Sequence, residues 1–199
     1  MEIEDKLKNK ILLILLKDIS IKHTITSLAK ELKITRVGIW KILKRLESQE
    51  FIKLVQIGKG KTSTYLIELK WDVLTEKTLA LYLTEEALKQ LRWRSNFEGL
   101  ENDVDFIIIY GSILQSFKEA NDIDILCIAN KDKFIKIQNT INKIQKMQIK
   151  KIHDISFTKE EFEWELTNSN KAFIEAVKKG VVLFGQEKFV KFMKEVSTK

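Results

Sequence analysis

Apolar and polar positions alternate along this chain in two distinct rhythms. Residues 4 to 17, "EDKLKNKILLILLK", carry the three-to-four-residue spacing of an amphipathic helix. "TITSLAKELKI" (24 to 34) repeats it, with Leu28, Ala29 and Leu32 on one side. Thr35 is a good N-cap for a third helix, "RVGIWKILKRLESQ", in which Ile39, Ile42, Leu43 and Leu46 form the apolar stripe. Two β-like runs follow, "FIKLVQI" and "TSTYLIEL", joined by "GKGK".

Residues 71 to 103 read as helical throughout, with Thr84-Glu85-Glu86 offering a second helix start. "VDFIIIY" (104 to 110) is a compact apolar run of strand length, and "DIDILCIA" (122 to 129) is another. A helix, "KDKFIKIQNTINKIQKMQ", then leads into a strand within "KKIHDISFTKEEF" (150 to 162). "FIEAVKKGVVLFGQEKFVKFM" closes with helix, short strand and helix, and there is no internal repeat or low-complexity tract. The expected class is mixed α+β in two domains: 1–70, a helical connector over 71–83, and 84–199.

Charge sharpens that division. Residues 1 to 70 hold 15 Lys and Arg against 8 Asp and Glu, whereas residues 71 to 199 hold 20 of each. The whole basic excess lies in the first third, which fits a polyanionic partner for that part alone. The longest apolar run, Ile11 to Leu16, is too short to span a bilayer, and the N-terminal stretch lacks a secretory signal, so a cytoplasmic protein with no membrane partner is expected. One cysteine, Cys127, leaves no internal disulfide. His23 and His153 are isolated in sequence and suggest no metal cluster, so any metal is expected on oxygen ligands.

The order helix, helix, three-residue turn, helix, hairpin in "ITSLAKELKITRVGIWKILKRLESQEFIKL" resembles the DNA-reading part of prokaryotic winged helix-turn-helix regulators. That resemblance implies that the third helix enters the major groove of double-stranded DNA and the hairpin wing touches its backbone or minor groove. Thr35, Arg36, Gly38, Trp40, Lys41 and Lys44 would then face DNA, with Lys59 and Lys61 on the wing. Glu50 departs from the family, which usually ends the helix there with glycine. Use of the same unit for protein contacts is the other reading, and a homodimer follows by analogy with such regulators. Gly60-Lys61-Thr62 imitates the tail of a phosphate-binding loop, but Val55 stands where its first glycine belongs.

In "YGSILQSFKEANDIDIL" (110 to 126), Gly111-Ser112 precedes Asp122-Ile-Asp124 by nine residues. Strand alternation puts Asp122 and Asp124 on one face, about 7 Å apart, with Ile123, Ile125 and Cys127 on the other. Two carboxylates so placed repel and are costly to desolvate without a positive partner. A divalent cation answers this, and oxygen ligands suit Mg²⁺. A Gly-Ser turn entering a helix would expose backbone N–H groups to a phosphate.

This ordered pair resembles the nucleotidyltransferase superfamily typified by DNA polymerase beta, in its minimal form, over roughly residues 84 to 199. The resemblance implies a small mixed sheet flanked by helices, Mg²⁺ on Asp122 and Asp124, and an NTP, ATP first among them, cradled by Gly111 and Ser112. It also implies a third carboxylate on a neighbouring strand. Asp154 takes that role as a catalytic and metal-binding residue; His153 is the alternative polar group facing the site, and Glu160 and Glu161 lie in the next helix start. Lys118 is the only cation in the turn, which lacks the small residue and arginine usual in the family. The implied reaction moves a nucleoside monophosphate to a hydroxyl of a protein or nucleic-acid acceptor. The alternative is a regulator whose second domain only binds nucleotide or mediates assembly.

Overall fold

The computed structural model describes residues 2–58 and 64–198. Two compact units divide the chain, Met1–Leu79 and Ala80–Lys199, a boundary inside the stretch read as a connector. Helix α4 (Val73–Leu88) runs through that boundary without a break. The second start expected at Thr84 does not form; its hydroxyl donates instead to the Ala80 carbonyl at 2.8 Å, an interaction that keeps a threonine inside a helix.

The first unit begins with α1 (Glu2–Lys17), α2 (Ile25–Leu32) and α3 (Arg36–Ser48). Thr24 and Ser27 cap α2 reciprocally, each side chain accepting from the other's backbone N–H at 3.2 and 2.8 Å. Strands β1 (Ile52–Ile57) and β2 (Thr64–Leu69) pair antiparallel, from Ile52 opposite Leu69 to Ile57 opposite Thr64. Thr24 bridges Leu66, so the segment before α2 adds a short third edge to the hairpin. Ile11, Leu12, Leu16, Leu28, Ile39, Leu43 and Leu46 are fully buried where these elements meet. Lys33 and Glu50 close α2 and α3 at φ 55° and 64°, conformations that glycine adopts more cheaply.

The second unit holds a four-stranded sheet in the order β5-β4-β3-β6. After α5 (Leu91–Phe97) come β3 (Phe106–Tyr110), β4 (Asp122–Ile128), α6 (Phe134–Gln145) and β5 (Lys151–Phe157). Helices α7 (Lys159–Thr167) and α8 (Lys171–Lys179), strand β6 (Val181–Phe184) and α9 (Gln186–Thr198) complete it. β3 lies antiparallel to both neighbours, and β4 and β5 are parallel, joined through α6. One sheet face is sealed: Ile107, Ile109, Ile123, Ile125, Cys127 and Ile152 pack with Trp93, Phe97, Ile137, Ile141 and Ile144. On the opposite face Phe106 meets Phe162, Phe189 and Phe192 with ring centroids 5.3 to 6.4 Å apart. Phe106 pairs with Ile128, so this aromatic cluster sits at the end of β4 remote from Asp122. The Asp122 end of that face carries polar side chains that are only partly buried.

Candidate functional site

Asp122 and Asp124 are the first and third residues of β4, and the fully buried Ile123 and Ile125 fix which way they point. Register supplies their neighbours. Tyr110 on β3 stands opposite Asp124, and His153 on β5 stands opposite it from the other side. Paired residues share a sheet face, so Tyr110, Asp124 and His153 form one row across three strands. His153 Nδ1 lies 3.3 Å from Asp122 Oδ2 and 3.6 Å from Asp124 Oδ1. Among the described residues no Lys or Arg lies within ion-pair distance of either carboxylate, and His153 is the one basic side chain that does.

Gly111 belongs to the same site. It has φ +83°, and a Cβ there would fall 2.5 Å from Asp124 Oδ2. The absence of a side chain thus lets the end of β3 lie directly on the carboxylate. Beyond it the expected helix is replaced by a single 3-10 turn, Ser112–Leu114, so the chain offers fewer aligned N–H groups than a helix start would. Ser112 is exposed on that turn, and Lys118 is exposed further along the loop with no ion pair or hydrogen bond among the described residues.

Burial first, and the Asp122 charge second, push the Asp124 carboxyl above its ordinary value, against the pull of His153. Burial and the same two carboxylates also raise the Tyr110 phenol. Both shifts come first from burial and second from the negative charge gathered at this end of the sheet. A dication fits that donor set: Asp122, Asp124 and His153 each offer a ligand atom, and these atoms lie within 4.8 Å of one another.

Asp154 is not part of it. The register sets Asp154 opposite Ile125, on the face shared with the buried Ile152. Consistent with that side, burial and then the Asp154 charge push the Cys127 thiol up. The expectation that Asp154 completes the carboxylates fails because its neighbour His153 has the facing parity. Glu160 and Glu161 stand in the first turn of α7, where Glu161 accepts from the Thr158 N–H at 2.9 Å and pairs with Lys131 at 3.0 Å.

Both histidines, isolated in sequence, lie in space within clusters of side chains that could hold a metal ion. His23 lies with Asp18 and Glu31 in a second group with ligand atoms within 4.8 Å. There Asp18 accepts hydrogen bonds from the Ser20 N–H and hydroxyl, and His23 Nε2 lies 3.2 Å from the Asp18 carbonyl, a set of contacts that ties the α1–α2 turn. Tyr110 carries no sequence signal for this site, because residues 106–109 are apolar on both faces and only the β3–β4 register sets it opposite Asp124.

In the first unit the Thr35 hydroxyl accepts from the Gly38 N–H at 3.1 Å and caps α3. At about 100° per residue, Arg36, Val37, Trp40, Lys41 and Lys44 occupy the side opposite the buried stripe. Arg36, Val37, Lys41 and Lys44 are exposed. Gly38 is half-buried, with Ile34 Cγ2 only 3.0 Å from where a Cβ would stand. Trp40 packs against Tyr65 of β2 at 5.3 Å between ring centroids, and Lys44 lies over it while pairing with Glu47 at 2.7 Å. Lys59 and Lys61 lie outside the described residues.

No family model, characterised protein or solved structure matches the chain. Among the described residues no helix is long and apolar enough to cross a membrane.

Proposed function

We propose that the chain is a metal-dependent nucleotidyltransferase tethered to a DNA-binding winged helix. The observation that carries this reading is the seating of Gly111 against the Asp124 carboxylate, which brings the Gly-Ser turn and the Asp122–Asp124 pair into one site. Asp122 and Asp124 would hold the cation, and the exposed turn at Gly111 and Ser112 would receive the phosphates. Bound there, a dication would neutralise charge developing on the α-phosphate and the departing pyrophosphate. The acceptor hydroxyl oxygen bonds to the α-phosphorus as the bond to the bridging oxygen breaks; pyrophosphate leaves and the hydroxyl proton passes to water. Tyr110 pairs with Asp124 across the β3–β4 register. For the first unit, the α2-turn-α3 order, the hairpin with its Thr24 bridge and the basic outer side of α3 support the winged-helix reading.

A specific observation favours a second reading, in which nucleotide is bound but not transferred: Asp154 faces away, leaving two carboxylates instead of three. Incubation of the full chain with each α-labelled NTP, Mg²⁺ or Mn²⁺, and cell extract separates the two. Label on a macromolecule, abolished by Asp122→Asn with Asp124→Asn, is the expected result. Nucleotide binding without any labelled product, across all four NTPs and both ions, would establish the second reading.

A further inference from the structure

We propose that His153 is the third ligand of the Asp122–Asp124 centre, so that the centre prefers a first-row transition dication, with Mn²⁺ as its probe, over Mg²⁺. This rests on reading the cluster as the cation site of the proposed transferase, and it concerns the ion that site selects.

The geometry starts from register. Parallel pairing of β4 with β5 leaves one residue of β5 directly beside Asp124, and that residue is His153. Its Nδ1 points between the carboxylates, 3.3 Å from one and 3.6 Å from the other. An ion bound by all three would take the Nδ1 lone pair, with the ring proton on Nε2. The imidazole is 46% exposed, free enough to settle onto an ion without unpacking the sheet. The carboxylate that could have competed for the position, Asp154, is turned to the other face by the same register.

The donor set then decides the metal. Mg²⁺ favours oxygen ligands and keeps much of its water, and gains little from an imidazole. Affinity for a site containing nitrogen rises along the first transition row from Mn²⁺. Mn²⁺ also accepts carboxylate and phosphate oxygens, so it can use every donor here. Two carboxylates and a neutral imidazole carry a formal charge of about −2, which one dication balances. A third carboxylate would have favoured a second ion.

The test uses the full chain without nucleotide. Mn²⁺ is titrated in and followed by loss of the free-ion electron paramagnetic resonance signal, and the bound ion is examined by electron spin echo envelope modulation. The expected result is a ¹⁴N coupling that becomes ¹⁵N in protein labelled at histidine and disappears in His153→Ala. Loss of this ligand should weaken Mn²⁺ by about tenfold or more, while Mg²⁺, read by competition, changes by less than roughly twofold. His153→Asp, which keeps a ligand, should bind Mg²⁺ better than the parent does. Bound Mn²⁺ without nitrogen coupling would overturn the proposal, as would equal losses for both ions in His153→Ala or no Mn²⁺ bound at all. Because no readout involves an NTP, nitrogen coupling without label transfer overturns only the transferase reading. Label transfer without coupling overturns only this one.

Discussion

His153 faces Asp124 across the β4–β5 pair, and the next residue, Asp154, faces Ile125. That one-residue difference separates a side chain beside the Asp122–Asp124 pair from one on the sealed side of the sheet. Asp154→Asn should therefore leave Mn²⁺ affinity within roughly twofold of the parent, while Asp122→Asn weakens it by about tenfold or more, because losing a direct ligand costs at least what losing a group that supports one does. Titration calorimetry on the two variants checks this, and an equal loss in both would place Asp154 in the site after all.

Gly111 makes a separate demand. Alanine there would have to hold φ +83° and bring Cβ to 2.5 Å from Asp124 Oδ2. That φ with ψ −164° is a region only glycine adopts readily and costs alanine on the order of 1–3 kcal/mol, and the clash displaces the carboxylate. Gly111→Ala should thus lose cation binding by more than its modest drop in thermal stability explains. Retention of parental Mn²⁺ affinity would show that the close approach is dispensable.

On α3, exposure separates the basic residues from Trp40. Arg36→Ala with Lys41→Ala should leave the melting temperature nearly unchanged but weaken duplex DNA binding. If both contact phosphate, the slope of log K against log salt should shrink by about 1.8. Trp40→Ala removes the packing on Tyr65 and should instead lower stability. An unchanged salt slope in the double variant would remove α3 from the DNA interface.

Glu50 sits at φ 64° where glycine is the cheaper residue, and its ion pair with Lys70 at 3.0 Å is exposed. Such a pair contributes little, about 0–1 kcal/mol. Relief of backbone strain should win, so Glu50→Gly should stabilise the protein by about 0.5 kcal/mol, less than the strain alone because glycine also gains freedom when unfolded. Chemical denaturation measures it, and a clear loss of stability would mean the Lys70 pair outweighs the strain.

Asp105 gives a pH dependence with a definite sign. Burial alone would raise its carboxyl, but hydrogen bonds and charges from Lys188 and Lys159, at 2.9 and 3.2 Å, outweigh burial and hold it below its ordinary value. A depressed carboxyl stabilises the fold above the unfolded pKa of about 3.9, and that contribution is lost as pH falls through the folded value. Asp105→Asn should therefore be less stable than the parent at neutral pH, with the gap closing on acidification. Urea unfolding over a pH series reads it, and a gap independent of pH would assign the loss to packing.

The elements themselves were legible in the sequence. Thr35 marked the start of α3 because a capping hydroxyl three residues before a free N–H is a local arrangement. "DIDILC" told which side chains share a face because strand alternation depends only on near neighbours. The expected Thr84 start does not form, because a helix tolerates an interior threonine whose hydroxyl bonds back to the preceding turn.

The periodicity of residues near in sequence determined most strands and helices of the two α/β units, and the sharing of one face by Asp122 and Asp124. Tertiary structure alone decided what stands beside those carboxylates. "KIHDISF" carries isoleucines of both parities, and packing buries Ile152 to 6% exposure while leaving Ile155 at 38%. Ile152 docks in the core with Ile141 and Ile144 of α6, and that docking turns Asp154 inward and His153 toward the aspartates. A one-residue change of parity reverses every side chain of a strand, and the choice is made by contacts between segments that no local pattern records.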